Sequence, residues 1–572
     1  MKVLLAQLNP VVGDLEGNFA KVREVILKHA GSHDLIVFPE LTLTGYPPND
    51  LLLRKGFVDE QLVYVDKVRK LSYRTPECTI LIGAVTNNEE VGKPLRNSAL
   101  GFNNGHRIVT YHKQLLPTYN IFDENRYFEP GNGDGCVFHI NTKKHGKVVL
   151  GLLICEDCWN DEAVCDAPLY PTNPVQKVFE NEFDLPKVQA VITLNASPSD
   201  VGKHSYRYTM YSTLSEKCGV PFVYVNSVGG QDSLVFDGHS FVVDGKSIWY
   251  AKGFVEDLWS AEILVPQPNM PALQVPQYHR EMLIIEHLKL GLKDYVTKNG
   301  FQKVVVGSSG GIDSAVVLMI AKEALGAENV FAVTMPSKFS SEGSWKDSEV
   351  LCDNLGVKLY NRPIIDEVLA SIEAFKKSFG VEPSRMTIEN MQARIRGRIL
   401  MEFSNHFGAL VLSTGNKSEM SVGYCTIYGD MCGGLSLIAD LYKMEVYAVA
   451  KFHNENHSEP IIPKDIVDKA PSAELWEGQK DTDSLPPYPV LDAVLKLYLE
   501  RDLMSYEEIQ EAKLLIENMS LKDIKRILKM TDNAEFKRRQ AAPVIRIHKR
   551  AFGFGRNLPI TQRYKVSYEN VL

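Results

Sequence analysis

Short β-branched runs recur along this chain, each followed by a polar or glycine-rich break and then by apolar residues at helical spacing. In the first half, Val3–Leu8, Leu35–Phe38, Ile80–Val85, Val148–Cys155, Ala190–Leu194 and Phe222–Asn226 read as strands. Between them, Asn18–His29 and Ser205–Lys217 carry the one-sided pattern of amphipathic helices. This alternation predicts an α/β layered domain over 1–263, with its chemistry at strand ends. The rhythm breaks at Leu264-Val265-Pro266-Gln267-Pro268-Asn269-Met270-Pro271, where proline density predicts an extended connector over 264–280. A second alternation fills 281–572. It opens with a helix over Glu281–Asn299 and continues through strands Lys303–Val306, Val330–Met335, Lys358–Pro363 and Leu410–Ser413. Helical stretches between those strands predict a doubly wound parallel sheet that gathers ligands at its carboxyl edge. From about Pro463 the pattern is helical and loop-rich and ends in a basic tail.

At 572 residues the chain is too long for a single core, which agrees with two domains. Its net charge of −8 argues against a nucleic-acid partner. No apolar run is long enough to span a bilayer, and the first residues lack the features of a signal peptide. The nine cysteines are odd in number and scattered, and the group Cys155, Cys158 and Cys165 has no zinc-finger complement. Reduced thiols in a cytoplasm are the expectation.

The strongest chemical signal is Val304-Val305-Val306-Gly307-Ser308-Ser309-Gly310-Gly311-Ile312-Asp313-Ser314, a strand that turns through Ser and Gly into the helical pattern Ala315–Ala321. Bare N–H groups at a helix start form a phosphate cradle. Gly310 and Gly311 allow close approach and positive φ, and Ser308, Ser309 and Ser314 add hydroxyl donors. No Gly-Lys-Ser/Thr closes the loop, so this is not a Walker sequence.

Three contexts in the first half suit amide cleavage. Glu40 follows the strand Leu35–Phe38, Lys113 lies in Tyr111-His112-Lys113-Gln114-Leu115, and Cys155 ends the run Gly151-Leu152-Leu153-Ile154. A thiol at Cys155 would attack the carbonyl, Glu40 would carry its proton to departing ammonia, and Lys113 would hold the oxyanion and favour the thiolate. Glu124 has two readings, a further acidic residue near the triad and, as the more ordinary of the two, a surface charge.

These contexts, in this order, resemble the nitrilase superfamily, whose Glu-Lys-Cys triad stands on a four-layer αββα sandwich. The resemblance extends to Gly45-Tyr46-Pro47, Arg126-Tyr127-Phe128-Glu129-Pro130-Gly131 and Asn195-Ala196-Ser197-Pro198. The Ser-Gly-Gly-Ile-Asp-Ser loop resembles that of the N-type ATP pyrophosphatases, with a Rossmann-like sheet. Behind it come Ile388–Arg396, Leu412-Ser413-Thr414-Gly415-Asn416-Lys417-Ser418-Glu419, Tyr424–Asp430 and Pro471-Ser472-Ala473-Glu474-Leu475. As a set they are similar to the glutamine-dependent NAD⁺ synthetase family. The resemblance implies ATP-dependent amidation of deamido-NAD⁺ through an adenylate, with ammonia from glutamine delivered through a channel. It implies that Tyr119, Ser197 and Lys203 hold glutamine, and that Gly307, Ser308, Ser309, Gly310, Gly311, Ile312, Asp313, Ser314 and Thr414 hold ATP. It further implies that Asn390, Glu419 and Lys537, with Lys443 as a further candidate, lie near deamido-NAD⁺. Asp313 and Glu419 offer the hard oxygen ligands that suit Mg²⁺. A homo-oligomer of two or more copies is implied as well. The chain departs from the family pattern at Ser199, where an aromatic usually follows Ser-Pro, and at Gly434-Leu435-Ser436-Leu437-Ile438.

Two other readings compete. Amidotransferases acting on other acceptors share the pyrophosphatase loop but use unrelated glutaminase domains, so the triad argues against them. A non-catalytic nitrogen sensor would have no need of Glu40, Lys113 and Cys155 together.

Overall fold

A computed structural model describes residues 1–165, 167–180, 187–264, 277–340, 342–553 and 555–564. The chain divides into two compact units, Met1–Tyr278 and His279–Leu572. Most of the expected connector, 265–276, lies outside the described residues, as does the end of the basic tail.

In the first unit two six-stranded sheets pack face to face. One runs Asp257–Glu262, Lys2–Gln7, Leu35–Val37, Thr79–Asn87, Leu95–Asn103, His106–His112 in spatial order. The other runs Ser247–Tyr250, Phe241–Asp244, Phe222–Asn226, Ala190–Asn195, Gly146–Ile154, Val137–Thr142. In each sheet the central strands pair in parallel and the flanking ones antiparallel. Alternation along the first strand shows how the layers form. Val3 and Leu5 join the core between the sheets, while Leu4 and Ala6 pack on the outer helices Leu15–His29 and Phe57–Tyr73. Helix Lys203–Cys218 covers the outer face of the second sheet, where Tyr208, Tyr211 and Leu214 meet Phe222, Tyr224 and Phe241. The result is the expected αββα sandwich.

The second unit holds a five-stranded, all-parallel sheet in the order Lys358–Asn361, Val330–Thr334, Lys303–Gly307, Ala409–Ser413, Leu435–Ser436. The chain starts in the middle, winds outward on one side and then crosses to the other. The switch falls between Lys303–Gly307 and Ala409–Ser413, and a crevice at such a point is where ligands bind in these sheets. Helix Ile312–Leu325, whose Ala315–Ala321 segment is wholly buried, packs on this sheet. Beyond Pro463 the helices Tyr488–Leu499, Tyr506–Leu515 and Leu521–Asn533 build a separate small core around Leu491, Leu495, Ile524 and Leu528.

Candidate active sites

Glu40, Lys113 and Cys155 converge at the carboxyl ends of their strands. Lys113 Nζ donates to Glu40 Oε1 and to Glu124 Oε1, each at 2.7 Å, and all three side chains are buried. Asn97 Nδ2 donates to Glu40 at 2.7 Å, and the Ala196 N–H donates to the other Glu40 oxygen at 3.0 Å. Gly83 makes this approach possible: a Cβ there would lie 2.4 Å from Leu41 N and 2.6 Å from Glu40 Cα.

Of the two readings of Glu124, the structure corrects the more ordinary one and agrees with the acidic residue near the triad. Glu124 is not a surface charge but a buried partner of Lys113, held also by the Tyr46 hydroxyl at 2.7 Å. Its neighbours Asp123, Asn125 and Arg126 are polar, which hides its burial from a reading of local composition. Burial and the adjacent Glu40, against the pull of Lys113, raise its carboxyl to about 7. Burial opposes the Lys113 charge, but Glu124 and Glu40 outweigh it and keep that ammonium protonated well above its ordinary range.

Cys155 sits just after strand Gly146–Ile154 with φ +43°, a turn that presents its side chain at the strand end. Its thiol is pushed well above 9 by burial and by Glu40, with Lys113 pulling the other way. Lys113 thus pulls toward the thiolate, the direction expected of it, and burial with Glu40 outweighs that pull.

Asp157 and Glu156 were missed, although both stand in the Cys155-Glu156-Asp157-Cys158 string. Asp157 accepts from the Ile154 N–H at 3.0 Å, the Gln114 and Leu115 N–H groups at 3.1 and 2.9 Å, and the Tyr111 hydroxyl at 2.8 Å. One carboxylate thus ties the turn bearing Cys155 to the segment bearing Lys113. Glu156 accepts from the hydroxyls of Tyr119, at 2.9 Å, and Tyr170, at 3.1 Å. Of the expected glutamine contacts, Tyr119 therefore stands against Glu156. Lys203 Nζ donates to the Pro198 carbonyl at 2.9 Å and lies 5.4 Å from the centre of the Trp159 ring. Ser197 is buried, its N–H donating to Asn226 at 2.9 Å and its hydroxyl accepting from Arg207.

In the second unit, strand Lys303–Gly307 runs into helix Ile312–Leu325 through the expected turn. Gly310 has φ +69°, and a Cβ there would lie 2.3 Å from the Ser344 carbonyl oxygen, so only glycine fits. Gly311 has an ordinary φ and forms the N-cap. The Ser309 and Ser314 hydroxyls are 3.2 Å apart, and Ser308 Oγ donates to Ser348 Oγ at 2.9 Å. Across the switch point, Thr414 follows the end of strand Ala409–Ser413, and Asn416 caps helix Lys417–Val422. Asn416 Nδ2 also donates to Asp313 at 3.1 Å.

Lys443, at the start of helix Lys443–Glu455, pairs with Asp313 and lies 3.4 Å from Glu419. Tyr488 then bridges Glu419 at 3.3 Å and Asp481 at 2.8 Å. Asp481 was not anticipated. Burial raises the Glu419 carboxyl to about 7, with Asp313 and Asp481 adding to the rise and Lys443 opposing it. Three carboxylates around one ammonium leave negative charge and hard oxygens at the phosphate loop, a donor set that fits Mg²⁺. Asn390 and Lys537 are held by the segment 423–426. Asn390 accepts from Thr426 Oγ1 at 2.8 Å, and Lys537 Nζ donates to the Gly423 and Cys425 carbonyls, both at 2.9 Å.

Two family models divide the chain between them: carbon-nitrogen hydrolase over residues 2–264 and NAD synthase over residues 284–541. The glutamine-dependent NAD⁺ synthetase of Thermotoga maritima is 40% identical over 602 aligned residues, covering 99% of each chain. That of Synechocystis sp. is 41% identical, covering 98% of this chain and 99% of the relative. The chain belongs to the glutamine-dependent NAD⁺ synthetase family. The solved structure of a member from Acinetobacter baumannii, in complex with adenosine diphosphate, superposes with a TM-score of 0.72 at 36% identity over 98% of both chains. A second member, from Cytophaga hutchinsonii, shares the fold with a TM-score of 0.78. Among the described residues no helix is long and apolar enough to cross a membrane.

Proposed function

We propose that this protein makes NAD⁺ by amidating deamido-NAD⁺ at the expense of ATP, drawing the nitrogen from the side chain of glutamine. The observation that carries the reading is one chain holding both a buried Glu40–Lys113–Cys155 group and a Ser/Gly phosphate loop facing Asp313, Glu419 and Lys443.

In the first unit Glu40 takes the Cys155 proton as the sulfur attacks the glutamine amide. Lys113 offsets the charge on the tetrahedral oxygen. The C–N bond breaks, Glu40 gives its proton to the departing ammonia, and water then cleaves the thioester to release glutamate. Tyr119, Ser197 and Lys203, with Glu156, surround the glutamine; the Glu156 carboxylate suits its ammonium group.

In the second unit the nicotinic acid carboxylate of deamido-NAD⁺ attacks the α-phosphorus of ATP, and diphosphate leaves. Ammonia then displaces AMP from the acyl-adenylate. Residues 307–314 and Thr414 hold the nucleotide by backbone N–H groups and hydroxyls. Asn390, Glu419 and Lys537 face the dinucleotide, Lys537 chiefly by shaping the 423–425 backbone it already holds. Mg²⁺, when bound by Asp313 and Glu419, with Asp481 close by, would offset phosphate charge. The family resemblance also supports an assembly of two or more copies in the cytoplasm.

The deciding experiment supplies ATP, deamido-NAD⁺ and glutamine labelled with ¹⁵N at the amide, with products read by mass spectrometry. The expected products are ¹⁵N-labelled NAD⁺, glutamate, AMP and diphosphate. Unlabelled NAD⁺, or amidation of xanthosine monophosphate instead, would end this reading.

A further inference from the structure

The paired carboxylate and ammonium of the second site sit at one end of two neighbouring helices, and the other end of the same pair carries a different cluster. Helix Ile312–Leu325 bears Asp313 in its first turn and Glu323 in its last. Helix Lys443–Glu455 bears Lys443 in its first turn and His453 in its last. Each pair of positions is ten residues, or about 15 Å, apart. The helices run side by side in the same direction, tied at the start by Asp313 and Lys443 and at the end by Glu323 and His453. His457, just beyond the second helix, adds a second imidazole one turn on from His453.

We propose that Glu323, His453 and His457 form a binding site for a divalent transition metal, with Zn²⁺ as the reference ion. Each residue offers one ligand atom, and those atoms lie within 4.8 Å of one another. Two imidazoles and a carboxylate are a donor set that borderline ions prefer and Mg²⁺ does not.

Two details of the hydrogen bonding support the assignment. His457 Nδ1 is 2.7 Å from the His453 carbonyl oxygen, which can only accept. The proton therefore sits on Nδ1 and leaves Nε2 with its lone pair outward, the tautomer that metal-bound histidines take when a backbone carbonyl orients them. His453, which is buried, already turns Nε2 toward Glu323 Oε1 at 2.7 Å, so two of the three donor atoms face each other.

Four-coordinate Zn²⁺ places its ligand atoms about 3.4 Å apart, given bonds of about 2.1 Å. The His453 proton would pass from Nε2 to Nδ1, which leaves the Nε2 lone pair to the ion, and the Glu323 contact would open from 2.7 Å by well under 1 Å. The exposed side of His457 leaves a fourth position for water. Lys289 is the group that opposes the ion: its Nζ lies 3.4 Å from Glu323 Oε2 and 2.7 Å from Glu286. With Glu286 and Glu323 against Lys289, the surroundings keep a net negative charge. An ion here would fasten the last turns of the two helices whose first turns hold Asp313 and Lys443.

The test uses full-length protein stripped with chelator and then held in excess Mg²⁺, which covers the carboxylate site near the phosphate loop. Titration with Co²⁺ is expected to give one equivalent with visible absorption typical of nitrogen ligation, displaced by Zn²⁺. His457→Gln, at an exposed position, is expected to weaken binding about tenfold or more while ammonium-supported NAD⁺ synthesis continues. Lys289→Gln, which removes the competing charge, is expected to tighten binding several-fold. Zn²⁺ is also expected to raise the melting temperature of the parent protein and not of His457→Gln. No Co²⁺ absorption, or equal affinity in the parent and His457→Gln, would overturn the proposal and leave Glu323 and His453 as a structural ion pair.

Discussion

The two reactive centres are built from the same small kit and yet are prepared for different work. In the first unit Lys113 lies between Glu40 and Glu124, with Asn97 donating to both carboxylates. In the second, Lys443 lies between Asp313 and Glu419, with Asn416 donating to Asp313. Each centre raises one glutamate, Glu124 or Glu419, to about 7. The difference lies in exposure and in what stands beside the kit. The Glu40 and Lys113 side chains are 0% and 1% exposed and face a thiol, whereas those of Asp313 and Glu419 are both 18% exposed and face bare helix-start N–H groups. A sealed group keeps its charges for one covalent step. An open one holds surplus negative charge that a cation with a nucleotide would complete.

The sharpest way to separate the centres is to remove one and assay the other. Cys155→Ala is expected to reduce glutamine-supported NAD⁺ formation by on the order of 10⁴-fold or more, while added ammonium salt restores it. Loss of both activities would show that the centres are not separable as described. Asp313→Ala should lower AMP formation by about 10²- to 10³-fold with glutamine hydrolysis still measurable. A coupled assay for AMP beside one for glutamate reads both.

The matched pair of raised glutamates gives a comparison by pH. A carboxyl raised from 4.5 to about 7 in the folded state binds more protons there than in the unfolded chain. Stability therefore falls as pH rises through that window. Glu124→Gln and Glu419→Gln should each flatten the decline, seen as melting temperature against pH. Mg²⁺ with ATP should flatten the Glu419 share and leave the Glu124 share untouched. If both respond alike to Mg²⁺, the contrast between sealed and open centres fails.

Smaller effects probe the scaffolding. Asp157→Asn sets an amide N–H against donors and should cost about 2 kcal/mol of stability, with a slower glutaminase step and unchanged ammonium-supported synthesis. Smaller still is Ser418→Ala. Ser418 Oγ donates to Asp492 and accepts from the Lys443 N–H at 2.9 Å, so its loss should raise the KM for ATP a few-fold, about 1 kcal/mol.

The sequence made the parallel centres of the three large sheets legible, because strands buried on both faces read as unbroken Val/Ile/Leu runs. It was less open about flanking antiparallel strands such as Val137–Thr142 and Asp257–Glu262, where exposed polar residues interrupt the apolar ones. The site residues divide in the same manner. Glu40 and Cys155 come just after strands, and Asp313 opens the helix behind the strand-to-helix turn, so all three could be found from the strand pattern. Glu124 and Asp481 sit in polar loops, and only tertiary packing makes them buried partners. Lys537, whose charge the family resemblance assigns to a ligand, donates to the Gly423 and Cys425 carbonyls and keeps a third N–H.

Burial also shields the Cys155 sulfur. Peroxide reacts with thiolates, and a sulfur held neutral by its buried surroundings offers it little to attack. Cys155 is therefore expected to resist peroxide better than an exposed cysteine would.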